Sequence, residues 1–183
     1  FTAIAGAILE VHPFNQPNVE AAKDFARRAM AGDLDLGAVE TLTGPEAVQD
    51  FARLVDTLEA GGYFGVHVYL PPNDDLWSAV TDLRTAVRAR TGVATTAGWG
   101  PRFLHSTGQL HKGGPAGGVF VQLIDQPSSA LSVPETDNTF DEIIAAQSAG
   151  DHQALVEAGR DVARIDVGAD ALGLVRALTK SLS

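Results

Sequence analysis

Apolar and polar positions follow two rhythms along this chain, and each rhythm predicts a different element. Tyr63 to Leu70 crowds β-branched and aromatic residues together and stops at Pro71 and Pro72, which cannot continue a central ladder; it is the clearest strand. Shorter runs predict strands over Val93 to Thr96, Val119 to Ile124 and Ala163 to Val167. Helical spacing appears between them. Val19, Ala22, Ala26 and Ala29 form the packed side of a helix ending near Met30, with Asn15, Gln16 and Pro17 as its turn and cap. Thr43 and Glu46 read as a capping box for a helix whose Phe51, Leu54, Val55 and Leu58 fall at core spacing, and Gly61 and Gly62 stop it. Asn73 or Asp74 caps a helix striped by Leu76, Val80, Leu83 and Val87. Thr139 and Glu142 form a second capping box, and Ala169 to Leu182 predicts a terminal helix. Leu155 belongs either to the helix begun at Phe140 or to a separate turn after Gly150. The opening run, Phe1 to Val11, is nearly all apolar or small; its length and alanine content favour helix.

Strands and helices that alternate with helix-length connections predict an α/β fold, a mostly parallel sheet flanked by helices. Ligands in such sheets gather beyond the carboxyl ends of the strands. Gly98 to Gly118, after the second predicted strand, reads as a long loop in that position.

At 183 residues, one domain spanning 1–183 is the default count. Apolar residues make up 45% and charged residues 20%, a globular composition. The absence of cysteine excludes disulfides and thiolate metal sites and suits a reducing cytoplasm. No run approaches the ~20 apolar residues that span a bilayer, so no membrane association is expected. Phe1 to Leu9 has no basic segment before it, as a signal peptide would. The chain's first residue, Phe rather than Met, fits a piece of something longer.

A formal net charge of −10 argues against nucleic acid, whose binding needs many cationic side chains. The distribution qualifies that sum. Between Asp82 and Asp125 there is no acid, while Arg84, Arg88, Arg90, Arg102 and Lys112 fall inside, a stretch able to attract a small anion. Arg84, Arg88 and Arg90 fit the solvated face of a helix, whereas Arg102 and Lys112 lie outside the helical pattern.

The segment GWGPRFLHSTGQLHKGGPAGG concentrates this chemistry, with seven glycines and no acid. Glycine lets backbone N–H groups close on an anion. Ser106 and Thr107 supply neutral donors, Arg102 a rigid fork and Lys112 a point charge. A structural crossover explains the same composition equally well. The spacing is not that of a P-loop, and no cofactor is called for. His105 and His111 have no nearby Asp or Glu to complete a metal triad.

VHPFNQPNVEAAK, from Val11 to Lys23, resembles the phosphoglucose isomerase signature, in which a Phe-Asp-Gln element opens a helix ending in Gly-Lys. TTAGWGPRFLHSTGQLHKGGPAGGVFVQL, from Thr95 to Leu123, is similar to the C-terminal region of the isomerase half of bacterial transaldolase/phosphoglucose isomerase fusion proteins. The later run FDEIIAAQSAGDHQALVEAGRDVARIDVG resembles the same tail. Asn15 stands where the signature has aspartate, and Trp99 where tyrosine is common.

The resemblance implies a sugar-isomerase (SIS)-like domain at the end of a larger enzyme that interconverts glucose 6-phosphate and fructose 6-phosphate through an enediol. It implies Lys23 as the lysine that assists ring opening and Gln16 as a substrate-positioning residue. The glutamate base maps to no position here, and His12, though near Gln16, is not assigned the histidine role. The remaining candidates for phosphosugar contact are Arg102, Ser106, Thr107, Lys112, His105 and His111. The expected partners are a phosphorylated sugar and the remainder of the isomerase or a partner subunit, with little or no activity from this chain alone. A non-catalytic phosphosugar-binding domain and a docking domain, using Phe1 to Val11 as its interface, are the competing expectations.

Overall fold

The computed structural model describes residues 1–15, 17–33, 39–126 and 131–183. Four strands, β1 (Tyr63–Tyr69), β2 (Ala94–Trp99), β3 (Gly118–Ile124) and β4 (Asp161–Asp166), form a parallel sheet in the order β2-β1-β3-β4. Seven helices accompany them among the described residues: α1 (Thr2–Ile8), α2 (Pro17–Met30), α3 (Gly44–Asp56), α4 (Asp74–Thr91), α5 (Leu104–Gly113), α6 (Phe140–Glu157) and α7 (Ala171–Lys180). The expected α/β class and its mostly parallel, helix-flanked sheet are therefore present.

The two faces of the sheet differ chemically. Phe64, Val66 and Val68 of β1, Val119, Val121 and Leu123 of β3, and Ala163 and Ile165 of β4 bury against Phe51, Val80, Leu83 and Val175 of α3, α4 and α7. This is the main apolar core. Side chains alternate along a strand, so the intervening residues His67, Gln122 and Arg164 share the opposite face, and register places them side by side across the sheet. α2, α5 and α6 pack together on that side, with α2 and α6 in the most extensive contact.

Several local expectations change. The segment read as a long loop contains α5, one face of which buries Leu104, Gly108, His111 and Lys112; glycine at the ends masks a helical stretch between them. Arg102 precedes α5, but Lys112 lies on it. The Thr43–Glu46 capping box does not form: Thr43 makes no side-chain cap bond, Pro45 offers no N–H, and Gly44 turns the chain with a φ of +53°. The Thr139–Glu142 box forms as expected, with Thr139 accepting from the Glu142 amide and Glu142 from the Thr139 amide. α6 continues through Gly150 to Glu157, which places Leu155 within it. Asn73, not Asp74, caps α4. No helix among the described residues is long and apolar enough to cross a membrane.

The strand order creates a switch point. From β1 the chain passes through α4 to β2 on one side, whereas from β3 it passes through α6 to β4 on the other. The connections diverge beyond Tyr69 and Ile124, leaving a crevice where ligands of open α/β sheets bind.

Candidate functional site

A buried polar wall on the α2/α5/α6 side contributes residues to two cavities. The wall starts with Tyr69, whose hydroxyl donates to Asp151 Oδ2 over 2.6 Å, and continues as Lys112 donates to Asp151 Oδ1. β1, α5 and α6 thus each contribute one member. Lys112 is only 2% exposed and Asp151 7%, so solvent screens the pair little. Burial pushes the Tyr69 phenol well above its ordinary range, and the Asp151 carboxylate adds to that shift; Tyr69 is a neutral donor.

On one side of the wall lies a cavity of about 240 Å³ between α2, α5 and α6, whose lining includes Lys23, Arg27, His105, Lys112, Gln147 and Asp151. Val19, Ala22, Ala26 and Leu104 supply its apolar surface. Lys23 is exposed and donates to Glu20 over 2.7 Å. On the other side, a cleft of about 890 Å³ opens beyond the carboxyl ends of β1, β2 and β3, lined by Tyr69, Trp99, Arg102, Asp125, Asp141 and Arg164 among others.

The fold therefore brings together three of the candidate site residues from the two segments singled out in the sequence: Lys23 from the first, His105 and Lys112 from the second. It separates the others. Arg102 lies in the sheet-end cleft. Ser106 and Thr107 donate to the Phe103 carbonyl over 3.1 and 3.0 Å, inside their own helical turn. His12 is exposed and accepts from the Phe14 amide over 3.3 Å. Gln16 lies outside the described residues. The basic stretch is also dispersed: Arg90 pairs with Asp56, Lys112 with Asp151, and Arg84 donates to the Thr95 carbonyl, so a run of cations in sequence is not one patch in space.

His111 is fully buried, as is His67. Its ring stacks on His67 at 5.1 Å between centroids, and the two nitrogens facing each other are 2.9 Å apart. Burial, followed by the Lys112 charge, lowers its pKa to about 4. Burial holds His67 well below its usual range, with His111 and Lys112 acting in the same direction. A neutral imidazole has one donor and one acceptor nitrogen, so this contact is one hydrogen bond between neutral rings. Among the described residues, no cluster of three or more His, Cys, Asp or Glu is placed to hold a metal ion.

Sequence reasoning missed Tyr69, Asp151 and Arg164. A signal existed for Tyr69: in the clearest strand, period-two alternation sets Gly65, His67 and Tyr69 opposite Phe64, Val66 and Val68. Asp151 carried a weaker one, an acid after the small residues Ser148, Ala149 and Gly150. Nothing in the sequence marked Arg164 as buried.

No family model matches this chain, and no curated protein matches it. Its fold is similar to the crystal structure of the hypothetical protein TT0462 from Thermus thermophilus, with a TM-score of 0.63 and 18% identity. The match covers 88% of this chain and 43% of that one, so the chain spans less than half the length of this structural relative. At this identity the likeness establishes a shared fold and carries no chemistry.

Proposed function

We propose that this chain is the SIS-like C-terminal part of a glucose-6-phosphate isomerase and that it contributes Lys23 to a phosphosugar site between α2, α5 and α6. The observation that carries the reading is the convergence of Lys23, His105 and Lys112 on one cavity. A cationic Lys23 there favours negative charge developing on the sugar ring oxygen as it opens, and donates a hydrogen bond to it. His105 and Arg27 add donors, while Lys112 is held by Asp151 and serves mainly to build the cavity wall. At about 240 Å³ the cavity is smaller than the ~300–1,000 Å³ usual for ligand pockets, which suits a site completed by another part of the enzyme. The proton transfer between C1 and C2 is assigned to a base outside this chain.

Titration of fructose 6-phosphate into the ¹⁵N-labelled chain tests the reading. Shifts concentrated at Lys23, Arg27 and His105, without turnover, are expected. Shifts absent from all three sink it, as does isomerisation at an enzymic rate by this chain alone for the claim that the site is partial.

A docking role is a second reading, supported by the apolar surface of Phe1, Ile4, Ile8, Leu9, Val11 and Phe14, all of it exposed. Its occupant is the remainder of the isomerase. Changing Ile4 and Ile8 to Ser should weaken that association while leaving the fructose 6-phosphate shifts in place; unchanged association rejects this reading.

A further inference from the structure

We propose that the sheet-end cleft is a separate small-molecule site in which Arg164 grips the oxyanion of a hydroxylated ligand. It goes beyond the phosphosugar reading and does not depend on it, since it concerns the other side of the Tyr69–Asp151–Lys112 wall.

Arg164, on β4, belongs to the lining of this cleft and is only 7% exposed, yet its buried Nε and Nη1 find no acceptor in the protein. A guanidinium can be kept buried cheaply only if its donors are met, and its fork is shaped for two oxygens of a phosphate or carboxylate. Nearby groups do not meet it. Tyr69 donates its hydroxyl to Asp151, and Asp166 accepts from Gln126 Nε2 over 2.6 Å and from the Gly168 amide over 2.9 Å. Parallel register sets the Arg164 backbone beside Gln122, and the bond from Leu42 N to the Arg164 carbonyl holds that backbone on its other side.

The rest of the cleft defines the ligand. Arg102 lies on the same lining and offers a second cation. Glu40 and Asp125 line it too, and such carboxylates accept from hydroxyl groups while disfavouring a ligand anionic throughout. Leu70, Pro71, Pro72, Trp99 and Ile144 give it apolar walls. One oxyanion with hydroxyls beyond it matches this distribution. The volume, about 890 Å³, falls in the ordinary range for small-molecule sites, and the position is the switch point of the sheet.

The test follows the Arg164 Nε–H resonance and binding heat while inorganic phosphate, gluconate or sorbitol is titrated into the chain. Phosphate or gluconate, or both, should shift that resonance, and the stronger of the two identifies the oxyanion; uncharged sorbitol should not. Arg164→Met should weaken binding by about tenfold to a hundredfold, and Arg164→Lys, which keeps the charge and loses the fork, by less. The Arg164 resonance reports on this cleft alone, so its shift should persist in Lys23→Ala whatever that change does to the total binding heat, which separates this site from the one between the helices. The proposal is overturned if neither anion moves the Arg164 resonance at millimolar concentration, or if Arg164→Met binds as wild type does. Should Arg164→Met fail to fold, the wild-type resonance and Arg164→Lys still decide.

Discussion

The Tyr69 hydroxyl and the Asp151 carboxylate, 2.6 Å apart, join the sheet to α6, with Asp151 lining one cavity and Tyr69 the other. Asp151 also holds Lys112, so a single carboxylate satisfies a phenol and an ammonium that both lie out of water. Removing it strands both partners. Asp151→Ala should cost about 3–5 kcal/mol in urea unfolding, the range for a buried ion pair broken on one side. Tyr69→Phe should cost about 1.5–3 kcal/mol, as for a hydrogen bond to a charged group. Replacing both charges, Lys112→Met with Asp151→Leu, should cost less than the two single changes summed, because neither leaves the other uncompensated. Strict additivity would mean that the pair is not energetically coupled.

Acid should destabilise the fold through its buried histidines. His111 and His152 have pKa values lowered to about 4 from 6.5, each mainly by burial, with Lys112 adding to the first and Arg164 to the second; His67 is displaced in the same direction. Between about pH 4 and 6.5 the unfolded chain therefore binds protons that the folded chain refuses, and stability rises with pH across that window. The contribution is fully present above pH 6.5. Each histidine gives up to about 1.4 kcal/mol per pH unit as the pH falls below it. Denaturant midpoints measured at intervals from pH 4.5 to 7.5 check this. A flat profile above pH 5 would falsify the assignment of neutral, buried rings; His111→Phe should reduce the slope.

The layered fold was legible because its apolar face follows simple rules. Phe51, Val55, Leu76, Val80, Leu83 and Val87 sit at helical spacing and all reach the core, and the strand at Tyr63 ends where Pro71 and Pro72 require. The polar face was harder to read. His67, Gln122 and Arg164 lie far apart in sequence and become neighbours only through parallel register, which no local pattern encodes. α5 was hidden for another reason: Gly108 is an unfavourable helical residue, but it lies buried in the α5 face where Val19 of α2 comes to 3.5 Å from an added Cβ, so tertiary packing overrides propensity. Lys23 drew attention only by resemblance, since its pair with Glu20 is an ordinary surface contact.

Gly150 sets the distance between α6 and α2. A Cβ at this position would stand 2.5 Å from the Ala22 carbonyl oxygen and 3.3 Å from the Ala26 amide nitrogen, both backbone atoms that move only if α2 moves. Gly150→Ala should cost about 1–3 kcal/mol, in the range for overpacking, despite the better helix propensity of alanine. Because α2 carries Lys23, the same change should displace that lysine from His105 and Lys112 and weaken fructose 6-phosphate binding. A stabilised Gly150→Ala protein would show that α2 docks less closely than described.

Lys23 offers the sharpest separation of structure from function. Its side chain is 56% exposed and its ion pair with Glu20 spans a single helical turn, an arrangement that solvent and salt weaken. Lys23→Ala should therefore leave thermal stability nearly unchanged. Glu20→Gln should do the same, and it frees the lysine. The two variants should nevertheless differ in their effect on ligand: Lys23→Ala should weaken fructose 6-phosphate binding by about tenfold or more, the loss expected for one charge-assisted hydrogen bond, whereas Glu20→Gln should not weaken it because the ammonium no longer has to leave a partner. Lys23→Met, which keeps the chain length, should behave as alanine does. Equal binding by wild type, Lys23→Ala and Lys23→Met would remove Lys23 from the site while leaving the fold untouched.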